Sequence, residues 1–264
     1  MSTQFPREAQ TTPGWHQESD APRIIIVIPV YNHAGTLRDV VTRCIKVHDR
    51  VMVVDDGSSD GGADTLEGLD VDIIRHSKNL GKGVAILSAA KKALRSGMTH
   101  MVTVDADGQH DPDDLRRFIP DLEAHPDAII VGKRDFHGAY VPESSRVGRA
   151  ISNFWLLAET GRSLGDAQSG FRVYPIALFK HLNLRERRYS FEIEVLVKAA
   201  WAGIELREVD ISIHYPSPAE RVSHFHLLWD NLRLSLLNTR LIMRAVIPLP
   251  HRKIGDIRGR KGKF

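Results

Sequence analysis

Short apolar runs alternate with amphipathic stretches between residues 24 and 132. The first run, Ile24 to Val30, is continuously apolar, which is typical of a strand buried on both faces. The stretch after it has apolar residues at helical spacing: Leu37, Val40, Val41, Cys44 and Ile45. The repeated alternation predicts β-α-β units, and therefore a doubly wound, mostly parallel mixed sheet flanked by helices. In such sheets, ligands bind at the carboxyl ends of the strands.

The second half of the chain has a different pattern. We predict helices near 146–159 and on the segment "YSFEIEVLVKAAWAG", a strand on "REVDISIHY", and a long Leu-rich helix from 225 to about 246. For that last helix, packing against the core is favoured over lying on a membrane surface. We expect one domain over 23–225. A disordered segment, 1–22, precedes it, and an amphipathic helix with a basic tail, 226–264, follows.

The charge of the chain is concentrated at its C-terminal end. The net charge is +3 over 264 residues, but residues 251–264 alone contain six Lys or Arg and one Asp. The basic balance therefore does not indicate a nucleic-acid-binding face, and the tail suits either solvent or an anionic membrane surface. A single cysteine, Cys44, and a polar N-terminus predict a cytoplasmic protein, with peripheral attachment at the inner membrane face as a further option.

Two carboxylates follow the apolar run at residues 101–104. In extended backbone, Asp105 and Asp107 project to the same side, where they repel each other unless a cation is present. Mg²⁺ is typically held by one or two carboxylates together with substrate phosphates, and Gln109 adds an amide oxygen nearby. The alternative is an acidic turn. For Asp111, a helix cap followed by Pro112 is favoured outright.

A second acidic cluster, "VVDDGSSDGG", follows another buried run. At a strand end, Asp56 can accept hydrogen bonds from a nucleobase N–H or a ribose hydroxyl, although Asp-Gly and Ser-Asp-Gly also form ordinary turns. Tyr31, after the first strand, can flank a base or can be a simple boundary aromatic. Neither a G-x-G-x-x-G fingerprint nor a P-loop motif occurs in the chain.

Six motifs occur in a fixed order: P-V-Y-N, V-D-D-G-S, N-x-G-K-G, D-A-D-G-Q-H, G-K-R and D-x-Q-S-G-F-R. This ordered set resembles family 2 glycosyltransferases of the GT-A fold, and most closely the dolichol-phosphate mannosyltransferase-like branch, over roughly residues 23–225. The resemblance implies a nucleotide-sugar site formed by Pro29, Tyr31, Val54, Asp56, Asp105, Ala106, Asp107 and Arg134. It implies Mg²⁺ or Mn²⁺ bound by Asp105, Asp107 and Gln109. It assigns Asp166, Gln168, Ser169 and Arg172 to the acceptor side.

The implied reaction is metal-dependent, inverting transfer of a sugar from a UDP- or GDP-linked donor to a polyprenyl-phosphate-like or lipid-like acceptor. An anionic acceptor needs no strong base, whereas a hydroxyl acceptor needs a carboxylate to take its proton. For that role Asp166 is favoured over Glu192 and Glu194, which also suit a solvated helix face. His33 replaces an acid found in similar sequences, and Arg221 and His224 could contact an anionic acceptor.

Two other functions fit parts of the pattern. A signalling receiver domain also places aspartates at strand ends, but there the acidic pair follows the first strand. Here a whole β-α unit, residues 24–48, precedes the acidic pair. A catalytically silent nucleotide-sugar-binding protein of the same fold is the other alternative.

Overall fold

The structure is a computed structural model that describes residues 21–135, 141, 143–214 and 227–247, without the side chains of Ser144 and residues 227–233. The strands are β1 (Ile24–Val30), β2 (Val51–Asp55), β3 (Asp72–Arg75), β4 (His100–Thr103), β5 (Ile129–Arg134), β6 (Arg172–Pro175) and β7 (Leu206–Ile211). The α-helices are α1 (Ala34–Val47), α2 (Lys82–Arg95), α3 (Leu115–Ala124), α4 (Glu143–Thr160), α5 (Ser190–Trp201) and α6 (Leu227–Val246).

The seven strands form one sheet in the order β3-β2-β1-β4-β6-β5-β7. Only β6 runs antiparallel, and it pairs with β4 on one side and β5 on the other. The predicted single α/β domain with a mostly parallel mixed sheet is confirmed. The sequence analysis missed β6, because its four residues follow a polar loop and show no alternation. All four are buried between two neighbouring strands.

Hydrophobic layers cover both faces of the sheet. Alternate residues of β1 point to opposite sides, so Val27 packs in one layer and Ile28 in the other. Cys44 is buried on α1, as predicted for a small apolar residue, and burial raises the pKa of its thiol to about 12. Leu237 and Leu241 of α6 lie in the same layer as Val27, so the favoured packing of this helix against the core is confirmed.

The carboxyl ends of β1, β2 and β4 lie at the same edge of the sheet. Val30 at the end of β1 is in register with Asp55 at the end of β2, and Val27 is in register with Thr103 at the end of β4. The loops that follow these strands therefore meet at this edge, and both acidic clusters of the sequence lie in them.

No helix among the described residues is long and apolar enough to cross a membrane. Several predicted features cannot be located. Arg221, His224, residues 1–20 and the basic tail lie outside the described residues.

Candidate active site

A cleft of about 430 Å³ opens at the carboxyl edge of the sheet. Its walls come from the segments after β1, β2 and β4, from the start of α2, and from the turn before α5. Of the residues predicted to bind the nucleotide sugar, the cleft is lined by Pro29, Tyr31, Asp56, Asp105, Ala106 and Asp107. Val54 is fully buried in the apolar layer beneath it.

Asp56 fixes the entrance to α2. Its carboxylate accepts hydrogen bonds from the backbone N–H groups of Leu80 (3.0 Å) and Gly81 (2.7 Å) and contacts His76 Nδ1 at 2.7 Å. Gly81 has φ of +103°, and a Cβ there would lie 2.3 Å from the carbonyl oxygen of Arg187. A carboxylate has about four acceptor sites, so Asp56 can still receive one hydrogen bond from a ligand in the cleft.

Asn32 joins the loops after β1 and β2. It adopts a left-handed conformation (φ +53°), its side-chain oxygen accepts from the N–H of Ser59 at 2.8 Å, and its own N–H donates to Ser58 Oγ at 3.0 Å. Asparagine tolerates this conformation better than most residues. The cross-link holds the neighbouring Tyr31 and His33 in the wall of the cleft.

A buried cation connects the acidic pair to α5. Lys82 Nζ lies 2.6 Å from Asp105 Oδ1 and 3.2 Å from Glu192 Oε1. Burial by itself would lower the pKa of Lys82, but the two carboxylates outweigh it and raise that pKa above its usual range. Burial likewise opposes ionisation of Asp105, yet the Lys82 ammonium holds the pKa of Asp105 well below normal. The cleft therefore contains a fixed positive charge beside an ionised carboxylate.

Gly170 lets the acceptor-side loop approach Asp105. A Cβ at Gly170 would lie 2.2 Å from Asp105 Oδ2 and 2.7 Å from its Cγ, closer than packed atoms can be. The "QSGFR" motif and the "DAD" motif are therefore in direct contact, although 65 residues of sequence separate Asp105 from Gly170. Any side chain at this position would displace either the loop or the Asp105 carboxylate.

Asp107 lies between the cleft and a second cavity of about 610 Å³ that also contacts Thr36, His110 and His214. Burial, followed by the charge of Asp105, raises the pKa of Asp107. Its Oδ1 accepts a hydrogen bond from the backbone N–H of Gln109 at 3.0 Å, which fixes the turn. A bound cation would relieve the repulsion between the two carboxylates.

The oxygen-rich donor set suits a hard divalent cation. Asp105 and Asp107 both line the cleft, and the half-buried Gln109 follows them in the same turn. Within the described part of the chain, no group of three or more His, Cys, Asp or Glu side chains is arranged to hold a metal by itself.

The predicted acceptor side contains a buried ion pair. Arg134 binds Asp166 through two hydrogen bonds, Nε to Oδ2 at 2.6 Å and Nη2 to Oδ1 at 2.9 Å, and Asp166 is fully buried. Asn153 of α4 supports the same loop by donating to the carbonyl oxygen of Gly165 and accepting from the N–H of Ala167. The predicted donor-side arginine and the predicted base therefore bind each other.

Arg172 is fully buried and supports the loop from inside. Its guanidinium donates to the carbonyl oxygens of Ser169, Ala167 and Glu192 at 2.6 to 2.9 Å. Ser169 is fully buried too, and its hydroxyl makes no hydrogen bond to the described part of the chain. Gln168 is half-buried beside Gly148 of α4. Of these acceptor-side residues, Arg172 acts as a positioning residue.

Sequence reasoning missed some residues of the site. It gave no role to Lys82, although this residue belongs to the motif N-x-G-K-G. It placed Gly170 in the acceptor-side stretch 168–172, but did not predict its contact with Asp105. The alternative of a solvated face for Glu192 and Glu194 is wrong, because both are buried. Glu194 contacts Lys198 and Arg240 at 2.8 and 3.0 Å, so it belongs to the packing of α5 against α6.

The sheet order and the cleft at its carboxyl edge define an α/β fold of the GT-A type. Glucosyl-3-phosphoglycerate synthase from Mycobacterium tuberculosis, solved in complex with Mn²⁺ and UDP-glucose, superposes with a TM-score of 0.66. The match covers 86% of this chain and 80% of that chain at 17% identity, so it concerns the fold alone.

Comparison of the sequence with known proteins shows the family to which the chain belongs. The profile described as "Glycosyl transferase family 2" matches residues 25–185, and the chain belongs to this family. The chain is 30% identical over 218 residues to a UDP-N-acetylglucosamine–dolichyl-phosphate N-acetylglucosaminyltransferase from Methanococcus voltae, covering 73% of this chain and 86% of the relative. It is also 30% identical over 210 residues to a polyprenol monophosphomannose synthase from Mycolicibacterium smegmatis, covering 72% and 77%. The receiver-domain alternative is therefore wrong.

Proposed function

We propose that the protein transfers a sugar, with inversion, from a nucleoside-diphosphate sugar to a polyprenyl-phosphate-like lipid acceptor at an anionic membrane surface. The observation that carries this proposal is the convergence of Asp56, Asp105 and Asp107 on one cleft. The names of the two relatives, which act on dolichyl phosphate and make polyprenol monophosphomannose, support the acceptor class.

Each region of the cleft has a chemical role in this proposal. Tyr31 and Asp56 lie where a nucleoside would bind, and Lys82 is placed to attract a diphosphate. Asp105, Asp107 and Gln109 would hold Mg²⁺ or Mn²⁺. When bound, such an ion supplies Lewis-acid stabilisation of the charge that develops on the leaving diphosphate.

The state of Asp166 favours an acceptor that is already anionic. Both of its oxygens accept hydrogen bonds from Arg134 and it is buried, so it is poorly placed to take a proton from a hydroxyl. A lipid phosphate can attack the sugar directly, because it carries its own negative charge. In this scheme Asp166 holds Arg134 in place, near enough to Asp105 for the charge of its guanidinium to lower the pKa of that carboxyl.

The donor half of the proposal is tested by thermal shift with UDP, GDP and their sugars, with and without Mn²⁺. A ligand at tenfold excess over its Kd stabilises the folded state by about 1.4 kcal/mol. We expect a shift with one nucleotide that grows with Mn²⁺ and is lost in D107A. The absence of any metal-dependent shift would reject the donor site.

The acceptor half is tested by transfer of labelled sugar to a polyprenyl phosphate, with the uncharged polyprenol as the control. We expect product only with the phosphate. Equal transfer to the polyprenol would reject the requirement for an anionic acceptor. Asp166 would then again be the candidate for the base that takes the proton of the hydroxyl. Nucleotide binding without either transfer or donor hydrolysis would favour the catalytically silent alternative.

A further inference from the structure

Among the described residues, nearly all of the exposed large apolar side chains lie on two neighbouring helices. Nine such side chains are exposed among the described residues, and eight of them lie on α4, on α6 or directly after α6. The α4 stripe consists of Val147, Ile151, Phe154 and Leu157, and the α6 stripe consists of Leu236, Met243, Val246 and Ile247. Exposed apolar residues that are grouped in this way mark an interaction surface.

The helical spacing shows that these residues form stripes. On α4 they recur at i, i+4, i+7 and i+10, so they share one side of the helix over about 15 Å. The other side carries Leu156, which is fully buried in the core. On α6, Leu236, Met243 and Ile247 repeat the pattern over a similar length, while Leu237 and Leu241 face the core. The two helices pack against each other.

We infer that the α4 and α6 stripes form a docking surface for an anionic lipid bilayer. The inference rests on the proposed function, because it concerns how the enzyme reaches a lipid-borne acceptor. It goes beyond that function in placing the contact on α4 as well as α6.

The charges around the stripes favour an anionic surface as the occupant. Between residues 143 and 162 there are two acids, Glu143, which is exposed in the first turn of α4, and Glu159, which is buried. Three cationic residues, Arg146, Arg149 and Arg162, lie in the same stretch. The sequence that continues from α6 contains the six basic residues of the 251–264 tail. Insertion of apolar side chains together with attraction of basic residues is the combination that gives stable binding to anionic membranes. A second copy of the chain would bring these like charges together.

The position of α4 also favours a lipid occupant. Asn153, on the same helix as the stripe, holds the loop at Gly165 and Ala167, and that loop continues to Gly170 beside Asp105. A membrane against the stripes would therefore contact the helix that supports the acceptor side of the cleft. An acceptor anchored in that membrane would have its phosphate held close to the site.

The test is co-sedimentation of the full-length protein with phosphatidylcholine vesicles, with and without phosphatidylglycerol. We expect salt-sensitive binding to the anionic vesicles only. The doubly substituted I151S/F154S and L236S/M243S should each lower the partition coefficient about tenfold, since each variant removes two large apolar side chains from the interface. The matched control is R95S, which removes an exposed cation from α2 and should bind as the unsubstituted protein does.

Three results would overturn the inference. In the first, the unsubstituted protein stays in the supernatant with anionic vesicles. In the second, both stripe variants sediment with these vesicles to the same extent as the unsubstituted protein. The third is a dimer in solution that the stripe variants dissociate, which would assign the surface to a second copy. The metal-dependent nucleotide shift is measured on the same samples. Its absence in the unsubstituted protein would reject the proposed donor site, whatever the vesicles show.

Discussion

The two halves of the sheet hold their polar groups in different ways. In the donor half, formed by β1 to β4 with α1 and α2, Asp56 and Asn32 bind backbone N–H groups of loops within about one β-α unit. In the acceptor half, formed by β5 to β7 with α4 to α6, the loop around Asp166 depends on side chains from other elements, such as Arg134 and Asn153. The polar groups of the donor half are therefore held through backbone N–H groups, whereas the loop of the acceptor half is held through the side chains of other elements.

The contact between the halves at Gly170 should give the largest effect on activity. In G170A the added methyl group would overlap the Asp105 carboxylate, so either the loop or the carboxylate must move. A displacement of about 1 Å in such a site can cost about 100-fold in rate, and we expect at least that loss of sugar transfer. The measurement is the kcat/KM for the donor.

The matched control for G170A is G35A, because a Cβ at Gly35 would have no atom within 4 Å. Activity of G170A within threefold of that of G35A would show that the two halves are not coupled through this contact.

Lys82 makes the second connection between the halves, through Asp105 on one side and Glu192 on the other. Its replacement in K82M leaves two buried carboxylates without their cation and removes a charged donor from the cleft. We expect the Kd of the nucleoside diphosphate to rise about tenfold, the value of one charge-assisted hydrogen bond. Isothermal titration calorimetry measures it directly.

The control for K82M lies on the same helix. Lys92 makes an exposed ion pair with Asp72 at 2.7 Å, and exposed pairs contribute little. If K92M changes the nucleotide affinity as much as K82M does, the effect of K82M comes from the loss of one positive charge and not from its position in the cleft. An unchanged affinity in K82M would remove Lys82 from the donor site.

Glu159 should give the smallest effect, and one confined to the acceptor half. Both of its carboxylate oxygens are buried and accept no hydrogen bond from any residue that the structure describes, and burial raises its pKa from about 4.5 to about 8. The folded protein keeps this proton up to about pH 8, whereas the unfolded chain loses it near pH 4.5. The free energy of unfolding contributed by this group therefore falls as pH rises through that interval.

The substitution E159Q removes this dependence. At pH 8 we expect the free energy of unfolding of the variant to exceed that of the unsubstituted protein by about 1 to 2 kcal/mol. At pH 5 this difference should nearly vanish. Urea denaturation at both pH values measures it, with E123Q on the exposed side of α3 as the control. A gain that is the same at both pH values would contradict the ionisation argument.

The order of elements and much of the lining of the cleft were predictable from the sequence. The continuous apolar run of β1 and the i, i+3, i+4 pattern of α1 reflect burial on one or both faces, and neighbouring residues suffice to show it. The same holds for Asp111, whose side chain accepts from the N–H of Asp113 as a cap before Pro112. Strand β6 escaped prediction, because its residues follow a polar loop and show neither a continuous apolar run nor an alternation.

By itself, the sequence determined the family, the parallel sheet and the position of the acidic clusters at strand ends, because these follow from local periodicity and from motif order. The tertiary structure decided which charges neutralise each other: Lys82 with Asp105 and Glu192, and Arg134 with Asp166. It also decided that the apolar residues of α4 and α6 that face outward form two stripes. Ion pairing and exposure depend on distances between segments remote in sequence, and only the packed sheet and helices fix those distances.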